Sequence, residues 1–371
     1  MARTAEKIFK LGGSVSRRNV HSSVLETHSP TLNFIFGNNW GLPSGFSLLL
    51  YGEPKGGKSL VSRSFIGKLH KNNPKAIAIV FDTEFRWQAQ LDDNAIAAYG
   101  IDENRLQIVP CNHPAEIFDT IEKEVNAACQ AGHEVGLIVI DSITEIQGRR
   151  GTNQESIMTM QRGDHAATLQ DGWKQILPVI RKNNIALILT TQVRAEQDPG
   201  KIMQHKTIKP AAAFGTLHFC EYSMFVQAID SAAGRKTLDG VPLENSSLTV
   251  NKKGGEQTGH RIRAKMVGSS MGPKQRIAEF TVDYKNGFIN THEEVFTLGV
   301  GSGVIEKPTS MSYVFGDRKW VGSSNIMEAL RTDPELCEAV LVEVKKRDLA
   351  GTFSGVSESE ETVEETETEV E

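Results

Sequence analysis

The stretch from Gly52 to Ser59, which reads Gly-Glu-Pro-Lys-Gly-Gly-Lys-Ser, constrains the fold of this chain more than any other. It follows an apolar run, Phe46 to Tyr51, that predicts a strand, and it precedes Leu60 to His70, which predicts a helix. This is the P-loop pattern: backbone N–H groups wrap phosphates, the lysine reaches the β- and γ-phosphates, and the hydroxyl binds Mg²⁺. We therefore predict ATP and Mg²⁺ as cofactors. The predicted nucleotide-binding residues are Gly52, Glu53, Pro54, Lys55, Gly56, Gly57, Lys58, Ser59 and Leu60.

Length and composition set the broad class. The 371 residues, 39% hydrophobic and 23% charged, give room for one large domain with attachments or for two domains of an ordinary soluble protein. No apolar run approaches the roughly 18 residues of a membrane span, and Met1 to Leu25 lacks the apolar block of a signal peptide. The four cysteines are far apart, so we expect reduced thiols rather than disulfides or a zinc site. These observations predict a cytoplasmic protein without a membrane partner.

Charge is unevenly distributed along the chain. The formal net charge is -5, but the stretch from Ser357 to Glu371 carries eight glutamates and no cation. Without that tail the body has a charge of about +3, because eight negative charges are removed from -5, so a local basic groove is compatible with the composition. The acidic tail cannot bury a core and is expected to be disordered. The N-terminal segment is basic, and it is either an arm that docks on a neighbouring copy or a solvated terminus.

Apolar runs beyond the P-loop alternate with helical stretches, which predicts an α/β fold. The predicted strands are Ala76 to Phe81, Leu106 to Val109, Leu137 to Ile140, Ala186 to Thr190 and Tyr222 to Val226. The predicted helices between them are Pro114 to Ala131 and Asp164 to Asn183. Such strands are typical of a mainly parallel sheet covered by helices on both faces, here a P-loop ATPase core.

The pattern changes after Val226 to strands without intervening helices, which predicts an antiparallel extension of the sheet. Those strands are Leu248 to Val250, Arg261 to Val267 and Ala278 to Asp283. A small α+β unit follows, with a last helix from Asp333 to Lys346. We predict an N-terminal arm over residues 1–33, an ATPase core over 34–286, a C-terminal domain over 287–350 and the acidic tail over 351–371.

Three polar residues follow predicted strands of the core. Asp141 ends one strand, where P-loop ATPases hold Mg²⁺, so the predicted metal residues are Ser59 and Asp141. Glu84 follows another strand, where a carboxylate can orient the attacking water, whereas the adjacent Asp82 reads as a cap. Gln192 follows a third strand, where an amide can hydrogen-bond the γ-phosphate and transmit the loss of that phosphate to the segment that follows. Each residue alone would fit a turn or a cap, and the P-loop favours the catalytic interpretation.

Two long basic stretches leave the same edge of the predicted sheet, Gln147 to Gly163 and Val193 to Phe214. Loops of this length are usually functional or disordered. Lying together, they would form a surface able to hold a phosphate backbone. The alternative is a pair of solvated loops. The predicted DNA-binding residues are Arg149, Arg150, Arg162, Arg194, Lys201, Lys206 and Lys209.

Taken as an ordered set, these motifs resemble a known family. Besides the P-loop they are Gly41 to Gly45, Phe81 to Phe85, Ile138 to Ser142, Thr191 to Arg194, Gly215 to Phe219, Arg261 to Lys265 and Pro273 to Phe280. The chain resembles the RecA-type strand-exchange recombinases and looks most similar to the phage recombinases of the UvsX kind. The similarity runs from about Val24 to Lys346.

The resemblance implies a DNA-dependent ATPase that polymerises on single-stranded DNA as a helical filament, pairs it with a homologous duplex and exchanges strands. ATP then lies between adjacent subunits. By the resemblance, the catalytic residues are Glu84, which activates water, Lys58, Gln192, which couples the γ-phosphate to the second DNA loop, and Lys265, which reaches the neighbour's phosphates. Val267 stands where the family has a second such lysine. Single-strand-binding and mediator proteins are implied as further partners.

Two other classes share the P-loop. A ring-forming helicase on the same core is one alternative, although no second helicase domain is visible before the core. A small-molecule kinase is the other, although no acceptor pocket or lid can be recognised. Stimulation of phosphate release by DNA would distinguish the recombinase and the helicase from the kinase.

Overall fold

The structure is a computed structural model, and it describes residues 23–148, 164–196, 208–229 and 259–350. The chain divides into two compact units, one up to Ile289 and one from Asn290 onward. Several predictions lie outside the described residues: the acidic tail, most of the N-terminal arm and the strand at Leu248 to Val250. The same is true of five predicted DNA-binding residues, Arg149, Arg150, Arg162, Lys201 and Lys206.

The first unit consists of strands and helices that alternate through its first half. Its strands are β1 (Val24–Leu25), β2 (Leu42–Pro43), β3 (Ser47–Tyr51), β4 (Ala76–Asp82), β5 (Leu106–Pro110), β6 (Glu134–Asp141), β7 (Ala186–Thr191), β8 (Val193–Ala195), β9 (Ile208–Pro210), β10 (Tyr222–Ile229), β11 (Gly259–Ser269), β12 (Ile277–Asp283) and β13 (Gly287–Ile289). Its helices are α1 (Pro30–Phe34), α2 (Lys58–Asn72), α3 (Trp87–Gln90), α4 (Asp93–Tyr99), α5 (Pro114–Asp119), α6 (Asn126–Gln130), α7 (Asp164–Lys182) and α8 (Phe214–Phe219).

One large sheet organises this unit. Among the described residues it has nine strands in the order β13-β12-β11-β10-β3-β7-β6-β4-β5. Neighbouring strands from β10 to β5 run parallel, whereas β11, β12 and β13 extend the sheet by antiparallel pairing. The predicted α/β class with a mainly parallel sheet is confirmed, and so is its antiparallel extension.

Helices cover both faces of the sheet. Successive side chains of a strand point to opposite faces, and in β6 both sets are fully buried, Ile138 with Ile140 and Leu137 with Val139. Ile138 and Ile140 share an apolar cluster with residues of α5 and α7, and α2 packs against β4 and β6. Burial on both faces is why these strands read as continuous apolar runs rather than alternating ones.

Most predicted elements are found within two or three residues of their expected ends, and two differ in kind. The predicted helix Pro114 to Ala131 contains a π-helical turn, Thr120–Val125, between α5 and α6. The stretch Val193 to Phe214 was expected as a loop, but its described ends pair as the antiparallel strands β8 and β9. This pairing satisfies backbone groups that an extended loop would leave to water.

The second unit is a small α+β assembly. It contains α9 (Thr291–Gly301), β14 (Glu306–Thr309), β15 (Ser312–Phe315), β16 (Arg318–Val321), α10 (Ser323–Thr332) and α11 (Pro334–Leu349). The three strands form an antiparallel sheet. The last helix begins where the sequence predicts, because the Asp333 side chain accepts a hydrogen bond from the Leu336 N–H at 3.0 Å and Pro334 occupies the first turn.

No helix in the described part of the chain is long and apolar enough to cross a bilayer. All four cysteines carry free thiols, as the sequence predicts.

Candidate nucleotide-binding site

The P-loop joins β3 to α2 at the carboxyl edge of the sheet. Gly52 lies so close to β10 that a Cβ on it would stand 1.9 Å from the carbonyl oxygen of Val226. Gly57 has a φ of +102°, and a Cβ there would stand 2.5 Å from Ile262. Both positions therefore require glycine. Gly57 is also the N-cap of α2, so the helix begins at Lys58, two residues earlier than predicted.

A cavity of about 420 Å³ opens at this edge. Its walls come from the P-loop and the start of α2, from the segment after β4, and from the ends of β6, β7, β11 and β12. The lining residues are Pro54, Lys55, Gly56, Gly57, Lys58, Ser59, Leu60, Arg63, Glu84, Arg86, Gln90, Asp141, Gln192, His260 and Tyr284. Seven of the nine predicted nucleotide-binding residues line it, and the other two, Gly52 and Glu53, lie at the start of the loop. The amino end of α2 gives this wall a positive potential suited to phosphate.

Lys58 is a cation on the cavity wall that is bonded to the start of the P-loop. Its Nζ donates to the carbonyl oxygens of Gly52 at 3.0 Å and Glu53 at 2.9 Å. Burial lowers the pKa of Lys58, and the nearby Asp141 carboxylate opposes that shift. The ammonium is thus held within the loop that a triphosphate would enter.

Ser59 and Asp141, the predicted metal residues, are brought together. The Ser59 hydroxyl donates to Oδ2 of Asp141 at 2.9 Å, and Asp141 is 6% exposed at the end of β6. The hydroxyl of Thr190 donates to the other oxygen, Oδ1. A hydroxyl beside a carboxylate in a phosphate-sized cavity is a donor set that suits Mg²⁺. The residues present therefore fit the predicted metal.

Glu84 lies on the cavity wall two residues after β4. Its side chain is 13% exposed and forms an ion pair with Arg86. Asp82 instead accepts a hydrogen bond at 2.7 Å from the backbone N–H of Trp87, the first residue of α3. The two carboxylates thus have different surroundings, and the role of Glu84 as the base stays a prediction.

Gln192 also lines the cavity, directly after β7. Its carbonyl oxygen accepts a hydrogen bond from Ala211 N at 2.7 Å, and the next residues enter β8, where Arg194 stands opposite Lys209 of β9. Lys209 forms a 2.7 Å ion pair with Glu196. Two predicted DNA-binding residues therefore lie on a strand pair that starts at the cavity.

Lys265 is outside this group. It lies in the middle of β11, opposite Phe225 of β10 and Ile277 of β12, and it does not line the cavity. The inter-subunit role that the resemblance implies for it stays a prediction.

Comparison with known proteins identifies the family. Residues 3–205 match the family described as RecA N-terminal domain, which is more than half of the chain. The chain belongs to the RecA family. It is 24% identical over 361 residues to proteins named Protein RecA from Staphylococcus aureus strains JH9, Newman and JH1. These alignments cover 95% of this chain and 90% of each relative. RecA-family proteins act in homologous recombination, as the resemblance implied.

Several residues around the cavity of this RecA-family chain were not predicted. Arg63 of α2 is 6% exposed, and its Nη2 donates to Oε1 of Gln90 at 2.9 Å. The indole of Trp87 is 2% exposed, and its Nε1 donates to Oδ2 of Asp141 at 2.8 Å. His260 and Tyr284 also line the wall, with the His260 Nδ1 and the Tyr284 hydroxyl 3.1 Å apart. The position of Trp87 three residues after Glu84 was the one sequence signal for this group.

Proposed function

We propose that this chain is a DNA-dependent ATPase that forms helical filaments on single-stranded DNA, pairs them with a homologous duplex and catalyses strand exchange. One observation carries the proposal. Gln192 of the cavity leads without interruption into the β8–β9 pair, which bears Arg194 and Lys209. A change at the γ-phosphate is thereby transmitted to basic residues through a few hydrogen-bonded residues.

The residues around the cavity have separate tasks in hydrolysis. Lys58 binds the β- and γ-phosphates, and Ser59 and Asp141 hold Mg²⁺, the carboxylate through water. Mg²⁺, when bound, neutralises the charge that develops on the transferred phosphoryl group. Glu84 takes a proton from the attacking water, and its ion-pair partner Arg86 orients that carboxylate. Gln192 bonds the γ-phosphate until it leaves.

DNA is held by the two basic stretches named above, including Arg194 and Lys209. Contacts of this kind bind the phosphate backbone and weaken with salt because counterions are released. Since Lys209 is paired with Glu196, its contribution to binding is smaller than that of Arg194, whose charge has no carboxylate partner in the described structure. Lys265 contributes charge to the site of a neighbouring subunit, and single-strand-binding and mediator proteins are further partners.

The chain is divided into an arm (1–33), an ATPase core (34–286), a C-terminal domain (287–350) and an acidic tail (351–371). It works in the cytoplasm, for which the four free thiols are the support. Within the RecA family it is of the phage type, for which its variant basic loops are the support.

The test measures ATP turnover with and without single-stranded DNA and images the protein with DNA and a slowly hydrolysed ATP analogue. We expect turnover to rise with DNA and open filaments to form, both suppressed by added salt. Lys58→Ala serves as the inactive control. A monomer whose turnover ignores DNA would refute the proposal, whereas closed rings that unwind duplex DNA would indicate a helicase.

A further inference from the structure

Trp87, whose side chain is buried, donates hydrogen bonds to two carboxylates at the edge of the sheet, one from its indole and one from its backbone. Its indole Nε1 donates to Oδ2 of Asp141 at 2.8 Å, and its backbone N donates to Oδ2 of Asp82 at 2.7 Å. Asp82 and Asp141 are register partners at the ends of the adjacent strands β4 and β6. One residue therefore ties together the polar ends of two strands.

The segment between these contacts carries Glu84. Its first residue, Thr83, is also bonded to the strand that bears Asp141. The Thr83 N–H donates to the Asp141 carbonyl oxygen at 3.0 Å, and the Thr83 hydroxyl donates to the Ser142 carbonyl oxygen at 2.7 Å. Trp87 fixes the other end of the segment. Glu84 thus lies on an arch of five residues, from Thr83 to Trp87, whose two ends are both bonded to the strand that bears Asp141.

The indole is itself held from the P-loop helix. The guanidinium of Arg63 lies over the Trp87 ring, 5.5 Å from its centre, and Nη2 of Arg63 donates to Gln90 at the end of α3. A cation in this position attracts the face of the ring. Arg63 is 6% exposed, so the contact is shielded from water and salt.

We propose that Trp87 is a positioning residue for ATP hydrolysis, which holds the metal-binding carboxylate of Asp141 and the base Glu84 in one fixed arrangement. The inference rests on the proposed function of the site. Of the two donors to Oδ2 of Asp141, the Ser59 hydroxyl rotates freely, whereas an indole N–H has one direction set by its ring. Since Trp87 is 2% exposed, removal of the N–H takes a buried donor from Oδ2 of Asp141.

The experiment compares Trp87→Phe with Trp173→Phe. The two tryptophans are matched: each is 2% exposed, and Trp173 donates its indole N–H to the hydroxyl of Thr216 at 2.9 Å, away from the cavity. Two quantities are measured, the Mg²⁺ concentration that gives half-maximal binding of a fluorescent ADP analogue and the kcat of DNA-stimulated hydrolysis.

We expect Trp87→Phe to raise the Mg²⁺ midpoint by about tenfold and to lower kcat by tenfold or more, as residues that orient metal ligands do. Trp173→Phe should change neither. A wild-type midpoint and kcat in folded Trp87→Phe overturn the inference and leave the proposed function intact. Absence of DNA-stimulated turnover in the unmodified protein overturns both. If Trp87→Phe does not fold, the exposed residue Gln90 is changed to Ala, which removes the hydrogen bond that holds Arg63 over the Trp87 ring. A rise in the Mg²⁺ midpoint smaller than tenfold then supports the inference, and a wild-type Mg²⁺ midpoint overturns it.

Discussion

Gly52→Ala tests whether the P-loop must lie against β10 for the site to work. The added Cβ would stand 1.9 Å from the carbonyl oxygen of Val226 and 3.1 Å from its carbonyl carbon, both backbone atoms. Val226 cannot give way easily, because β10 is paired with β3 on one side and with β11 on the other. The loop must therefore move by about 1.1 Å to reach the closest contact of about 3.0 Å that real Cβ atoms make.

A displacement of about 1 Å at a catalytic site costs about 100-fold in rate, so we expect ATP turnover to fall by about that factor. Crowding of the core costs a further ~1–3 kcal/mol of unfolding free energy. Turnover and a urea unfolding curve measure the two effects. The control is Gly215→Ala, whose Cβ would make an ordinary 3.4 Å contact with the Gln170 side chain. Wild-type turnover in Gly52→Ala would refute the close packing of loop and strand.

Three further substitutions test separate parts of the molecule. Lys58→Ala removes the charge that reaches the phosphates, so ATP affinity measured with a fluorescent analogue should fall about 10- to 100-fold. An unchanged affinity would show that Lys58 does not bind the phosphates. Glu84→Gln should bind ATP and DNA normally but hydrolyse about 10²- to 10⁴-fold more slowly, giving filaments that persist, and rapid turnover would exclude Glu84 as the base. Burial lowers the pKa of His28 to about 4, so the unfolded state binds more protons below pH 6.5, and about 2 kcal/mol of stability should be lost by pH 5. In urea unfolding, His28→Asn should lose less stability than the unmodified protein between pH 7 and pH 5, and an unaltered pH dependence would contradict this assignment.

The sheet and most of the site were predictable because they depend on local patterns. The continuous apolar runs predicted the central strands, since a strand buried on both faces needs apolar side chains at every position. The positions of Asp141, Glu84 and Gln192 followed from topology: the carboxyl ends of parallel strands meet at one edge, so residues just beyond them converge on the P-loop. Spacing from the strand end was therefore enough to find them.

The supporting contacts were not predictable because they join distant parts of the chain. Trp87 and Asp141 are 54 positions apart, and Arg63 and Gln90 are 27 apart. Each contact requires α3 to fold back over the sheet edge, and the sequence of a four-residue helix does not indicate where that helix packs. The pairing of Lys209 with Glu196 was missed for the same reason, because it depends on the β8–β9 register.

The carboxylate of Asp141 connects three elements that the reaction must coordinate. It accepts hydrogen bonds from Ser59 at the start of α2, from Trp87 of the segment that carries Glu84, and from Thr190, two residues before Gln192. A buried carboxylate with donors from three directions cannot move toward one of them without weakening its bonds to the others. On the proposed function, a displacement of Asp141 by Mg²⁺ would therefore reach both Glu84 and the strand that leads to Arg194 and Lys209. This shared acceptor is a physical route for the coupling between ATP cleavage and DNA binding that we propose.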